Sequence, residues 1–177
     1  MLIRTAVLLS MLCMPLLAYA QTLGGSYTLQ DSSGATVTEK SNKGKFTLIT
    51  FAHSKCDQTC KDALKNFSTA IGMLSADARS KVDALVVSVD PADTPAAMAQ
   101  FLAPYPGLRA AAGNSSQIDN MTKSFMAPVM KVPTPDGKTT IMVSPLIYVM
   151  SKQGTFYTLL QPFDGDYLGK QLRAIIN

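Results

Sequence analysis

The sequence predicts a single α/β domain, a central mixed sheet flanked by helices, preceded by a small β-hairpin. Three observations point to it. "KFTLITFA" (45–52) and "DALVVSV" (83–89) are short, nearly continuous apolar, β-prone runs, as expected of strands covered on both faces. Between them Ala63, Leu64, Phe67, Ala70, Ile71 and Leu74 recur at helical spacing. The C-terminal quarter then reads as two strands joined by "SKQG" and a closing amphipathic helix.

The elements follow in order. Residues 1–20, MLIRTAVLLSMLCMPLLAYA, have a short positive start at Arg4, an apolar core from Ala6 to Leu17 and the small-x-small ending Ala18-Tyr19-Ala20. This is the form of a cleaved secretory signal peptide, with the mature protein starting at Gln21. The apolar run falls short of the ~20 residues of a membrane helix, and a retained N-terminal anchor is the alternative. Removing 20 of 177 residues leaves 157, enough for one domain (21–177) with its own core. Ser26 to Leu29 and Thr36 to Thr38 flank the turn "DSSG" as a short hairpin. After the strand at 45–52 and its helix comes the strand at 83–89. Thr94 then caps a helix that has Pro95 at its first position and ends before Pro104. Leu108 to Ala112 is a third buried strand, and Ser115 to Phe125 a helix with Ile118, Met121 and Phe125 on one side. "PTPDGK" (133–138) is an exposed turn, Leu146 to Met150 and Thr155 to Leu159 form the late hairpin, and Tyr167 to Ile176 the last helix. This is the element order of a thioredoxin-like fold. Its sites lie at the carboxyl edge of the strands.

Composition narrows the function. The formal charge of +4 becomes +3 once Arg4 leaves, too modest and too scattered for a nucleic-acid binder. Lysines crowd the first half, which reads as a solvated face. No apolar stretch after the leader is long enough for a membrane span. Of three cysteines, Cys13 leaves with the leader, so the mature chain holds an even pair, Cys56 and Cys60, in "FAHSKCDQTC" (51–60).

That pair, with the chain's only histidine, His53, in front of it, fits a metal site, a redox dithiol or a structural disulfide. A helix start favours a thiolate, as do Lys55 and Lys61, while Asp57 opposes them. Cys56 is expected to be the more exposed, attacking sulfur and Cys60 the resolving one. Two residues four apart on a helix hold their Cβ atoms ~5–6 Å apart, so closing the bridge is expected to require the first turn to loosen. His53 reads as a hydrogen-bonded loop residue sooner than as a ligand.

The chain resembles the Sco/SenC family. The stretches "GGSYTLQDSSGATVTEKSNKGKFTLITFAHSKCDQTC", "VVSVDPADTP", "SPLIYVM" and "GTFYTLL" occur in the family's order and spacing. The resemblance implies a thioredoxin fold and a part in assembling the copper site of cytochrome c oxidase. It also implies Cu(I) ligation by Cys56 and Cys60. There are departures. Family members place a proline after each cysteine, where this chain has Asp57 and Lys61. The family's third copper ligand, a histidine before the "IYLM" strand, falls on Val143, which has no lone pair. Met142 adjoins that position and Met121, Met126 and Met130 precede it; core filling is the ordinary role of such residues. Ser144-Pro145 matches the superfamily pattern in which a cis proline faces the cysteines, and Pro145 joins them as a candidate catalytic residue.

Three functions remain open. The first is periplasmic thiol–disulfide exchange through Cys56 and Cys60, needing no cofactor, with protein thiols or disulfides as partners, a cytochrome oxidase subunit or another copper protein among them. The second is a Cu(I) chaperone with an unusual third ligand. The third is an assembly factor whose cysteines are incidental.

Overall fold

Three parallel strands form the middle of the sheet, and the cysteine-bearing turn follows the carboxyl end of one of them. The structure is a computed structural model that describes residues 23–135, 137 and 139–176; the expected leader at 1–20 lies outside the described residues. In chain order the strands are β1 (Thr28–Asp31), β2 (Thr36–Thr38), β3 (Phe46–Ala52), β4 (Val82–Ser88), β5 (Arg109–Ala112), β6 (Val129–Pro133), β7 (Thr139–Val143), β8 (Ile147–Met150) and β9 (Phe156–Leu160). The helices are α1 (Gln58–Gly72), α2 (Ala76–Ser80), α3 (Pro95–Leu102), α4 (Ser115–Ser124) and α5 (Gly165–Ile176).

Seven strands make one mixed sheet in the order β2-β1-β5-β4-β3-β8-β9, in which β3, β4 and β5 run parallel. Central position explains the continuous apolar runs. Alternate residues of β3 and β4 feed opposite faces: Ile49, Phe51, Leu85 and Val87 pack toward α4, and Leu48 and Ala84 toward α1 and α5. This is the mixed sheet flanked by helices that the sequence predicts. Arg109 ties the N-terminal hairpin to the centre through a paired contact with Asp83 (3.1 and 2.6 Å) and a longer one with Asp31 (3.3 Å). Among the described residues no helix is long and apolar enough to cross a membrane.

Two elements depart from the expectation. Ser75 caps a short helix, α2, by accepting from the Ala78 amide. More consequentially, the "PTPDGK" turn does not simply interrupt the chain. The segments on either side of it form a second, two-stranded antiparallel sheet, β6–β7, whose register pairs Val129 with Val143, Met130 with Met142 and Lys131 with Ile141. Val129, Ile141 and Val143 pack on the core beside an edge-to-face cluster of Phe51, Phe125 and Tyr148, with ring centres 5.4–5.9 Å apart.

Candidate functional site

The end of β3 leads through His53, Ser54 and Lys55 into α1, and this turn is heavily pinned. The buried Asp93 carboxylate accepts from the Ser54 amide (2.9 Å), the Ser54 hydroxyl (2.5 Å) and the Ser88 hydroxyl (2.7 Å). It thereby ties the loop after β3 to the end of β4. The Cys56 amide donates to the His53 carbonyl at 3.1 Å, which curls the loop toward the helix. Asp57 is the N-cap of α1, its Oδ1 accepting from the Cys60 amide at 2.9 Å. A proline at position 57 has no side-chain oxygen for this, so the departure at 57 has a local structural use.

This cap position corrects one expectation. Cys56 precedes the cap and has left the helix, whereas Cys60 sits at its third position. The two are joined as a disulfide with Cα atoms 5.9 Å apart, within the usual range. Because only Cys60 is helical, the bridge closes with the first turn of α1 intact; no loosening is needed. Both cysteines are buried nearly alike, Cys56 at 4% and Cys60 at 3% exposed, packed with Ala52, Leu64, Val86 and Met98, so exposure does not distinguish an attacking from a resolving sulfur.

His53 is buried, and its Nε2 lies 2.9 Å from the carbonyl oxygen of Ile141 on β7. A carbonyl only accepts, so Nε2 carries the ring proton and the bond joins the β3 loop to the β6–β7 ribbon. The hydrogen-bonded reading of His53 is the observed one. Ser144–Pro145 does not have the expected cis geometry: among the described residues every peptide bond is trans. The chain turns here through a Leu146 amide to Ser144 carbonyl bond of 2.8 Å, a three-residue turn centred on Pro145 that suits proline's fixed φ. The redox-loop argument built on a cis proline loses that support. Pro145 nevertheless lines the same cavity as the cysteines.

That cavity, about 570 Å³, opens between the start of α1 and the ribbon, with Cys56, Cys60, His53 and Lys55 on one side and Met130, Met142 and Val143 on the other. The methionines divide sharply. Met121 fills the core as expected at 1% exposure, but Met130 and Met142 are 59% and 48% exposed. Core filling is therefore wrong for the ribbon pair. The reason is register: Val129, Ile141 and Val143 face the core, so the alternating positions 130 and 142 face away from it. Sequence reading missed the ribbon, and with it the pairing; the signal present was "VMKVP" and "TTIMV" on either side of a Pro-Asp-Gly turn. Met126, also exposed, adopts φ +48° at the end of α4, where its amide and that of Ala127 bond back to Lys123 and Thr122.

Chemically, the site offers two sulfurs at a helix N-terminus, a neighbouring lysine and two thioethers, a donor set matched to a soft monovalent metal or to thiol–disulfide chemistry.

Comparison with known proteins agrees. The SCO1/SenC family model matches residues 17–175. A structure of Bradyrhizobium japonicum ScoI with copper bound is 35% identical, superposes with a TM-score of 0.77 and covers 86% of this chain and 98% of its own. Yeast Sco1 with copper bound is 26% identical at a TM-score of 0.76, over 87% of this chain and 88% of its own. The Schizosaccharomyces pombe protein sco1 is 34% identical over 105 residues, 58% of this chain and 40% of that protein. Mitochondrial SCO1 of Saccharomyces cerevisiae is 29% identical over 143 residues, 78% of this chain and 48% of that protein. The chain thus spans less than half the length of these two curated relatives. With the sheet order, the cysteine-bearing turn and a family match over nearly its whole length, the chain belongs to the SCO1/SenC family.

Proposed function

We propose that this chain is an exported copper-handling protein whose reduced Cys56 and Cys60 hold Cu(I) as cargo. In this reading residues 1–20 are a removed leader, and 21–177 works in the periplasm. The copper is destined for an oxidase subunit or another copper protein. The observation that carries it is the seating of both sulfurs in one cavity at the start of α1, beside Lys55 and facing exposed thioethers. The 35% identical B. japonicum relative, known with copper bound, supports the same reading. Thiolates suit Cu(I), and the helix terminus offsets the charge of the pair. Copper stays Cu(I) throughout. The disulfide is the copper-free form; a dithiol reductant supplies two electrons and two protons to open it, and Cu(I) then displaces the two thiol protons.

A second reading, thiol–disulfide exchange with protein partners, is favoured by one observation: the bridge closes without disturbing the cap of α1. There one thiolate of a partner dithiol attacks a sulfur of the bridge and releases the other as a thiolate; the partner's second thiolate then attacks the mixed disulfide, so the partner leaves as a disulfide and Cys56 and Cys60 are left reduced. Pro145 bounds the surface such a partner meets.

Titrating the reduced protein with Cu(I) against a competing chelator separates the two. One copper per chain, lost in Cys56→Ser and in Cys60→Ser, supports the copper reading. Failure of the wild type to retain copper eliminates it. A pair that equilibrates with glutathione buffers between locked extremes, without holding copper, selects the second reading.

A further inference from the structure

The ribbon positions that face away from the core carry the same unusual residue on both strands. Met130 and Met142 are direct cross-strand partners, so their Cβ atoms lie roughly 4.5–5.5 Å apart on one face. Two large apolar side chains left 59% and 48% exposed side by side gain little from burial. Packing does not account for them, since the ribbon's grip on the core comes from Val129, Ile141 and Val143. Met98, Met121 and Met150 are buried but Met126 is 54% exposed, so exposure alone does not mark the pair; their direct cross-strand pairing does. Both ribbon methionines line the cavity that Cys56 and Cys60 line.

From this we propose that Met130 and Met142 form a thioether pair that completes an all-sulfur Cu(I) site with Cys56 and Cys60. The inference rests on the copper-handling reading above and adds the ligands that reading lacks. Two thiolates alone leave Cu(I) open to a third or fourth soft donor. Val143, in the same wall, has no donor atom. His53 donates Nε2–H to the Ile141 carbonyl, which holds the ring on the ribbon backbone and leaves Nδ1 as its lone-pair nitrogen, a donor that a sulfur-only metal shell in the test below would exclude. The thioethers are soft, neutral and mobile, with three rotatable bonds each, so they reach into the cavity without adding charge to a centre that is already anionic with two thiolates. Binding involves no change of copper oxidation state and no proton beyond the two the thiols release.

The test is a Cu(I) competition titration of the reduced protein and of a Met130→Leu/Met142→Leu double variant. Leucine keeps apolar bulk and removes sulfur. The double variant should lose about tenfold or more in affinity, or ~1.4 kcal/mol and above. Copper X-ray absorption of the wild type should show a shell of three or four sulfurs, falling toward two in the variant. As a readout independent of affinity, ¹³C-methyl methionine labelling should show two methyl resonances moving with one equivalent of Cu(I). The core methyls of Met98 and Met121 should stay in place. If the double variant binds as tightly as the wild type with the same sulfur shell, and the ribbon methyls do not move, the thioether pair is refuted while the copper reading survives. If the wild type does not bind Cu(I) at all, both fall together.

Discussion

Asp93 is the test of how the dithiol loop is held. Its buried carboxylate is the acceptor for the Ser54 amide, the Ser54 hydroxyl and the Ser88 hydroxyl. Replacing it with alanine leaves three donors to find new partners. The Ser88 hydroxyl has one at hand, the Asp90 carbonyl at 3.2 Å, so its loss is largely offset. The Ser54 amide and hydroxyl have only such water as reaches a half-buried residue. Hydrogen bonds to a charged group contribute about 1.5–3 kcal/mol each, and the two lost at Ser54 with partial rehydration give about 2–4 kcal/mol. For a domain of this size that corresponds to a fall in Tm of roughly 5–15 °C. Asp93→Asn keeps one accepting oxygen and should lose about half as much. Urea unfolding of reduced and oxidised protein measures both, with an unchanged m-value showing that the denatured state is not what moved. A loss below about 1 kcal/mol for Asp93→Ala would refute the view that this carboxylate anchors the loop.

Other outcomes follow from the same geometry. A Cβ at Gly165 would stand 2.9 Å from Thr69 Cβ and 3.1 Å from the Asn66 carbonyl oxygen, whereas one at Gly169 would meet chiefly the movable Met73 sulfur at 2.8 Å. Gly165→Ala should therefore cost about 1–3 kcal/mol in a thermal melt and Gly169→Ala distinctly less, since helix propensity repays part of it. Val143→His places an imidazole in the cavity wall and should tighten Cu(I) by about tenfold, more in the Met130→Leu/Met142→Leu background than in wild type; no change in either background would show that position 143 cannot reach the metal. Asp31 is held below the ordinary carboxylate range, first by the Ser33 hydroxyl and then by the Ser33 and Ala35 amides and Arg109. A depressed folded-state pKa stabilises above the unfolded value and is lost as pH falls through the folded one, so Asp31→Asn should flatten the acid side of a Tm–pH profile; an unchanged slope would contradict this.

Much of the frame was legible because strand and helix periods dominate it. The buried strands announced themselves as continuous apolar runs, and Thr94-Pro95 marked the start of α3, where Thr94 accepts from the Ala97 amide. The cysteine turn was placed correctly between β3 and α1. What escaped was decided by single residues or by pairing at a distance. Asp57 read as an opposing charge, yet as the cap it sets the helix boundary one residue after Cys56 and so changes how the bridge forms. The β6–β7 strands are short and half exposed, with burial alternating irregularly, so neither carried a strong period. Without their register, Met130 and Met142 looked like any other methionines. Pro145 was read from its neighbours, but the turn it sits in is made with the Ser144 carbonyl, a contact no sequence pattern specifies.

Among the described residues the ribbon shares no ladder with the seven-stranded sheet. That gives the domain a division of labour: the sulfurs of Cys56 and Cys60 pack in the core at the start of α1, while half of the cavity wall rides on an appendage. Side chains at 130 and 142 can be exchanged with little effect on the core, so on the proposed copper reading donor hardness can be changed there without disturbing the fold. A one-residue deletion in either strand would invert that strand's two faces and take its methionine off the outer face. On that reading, which side chains meet the copper is decided by the parity of a five-residue strand.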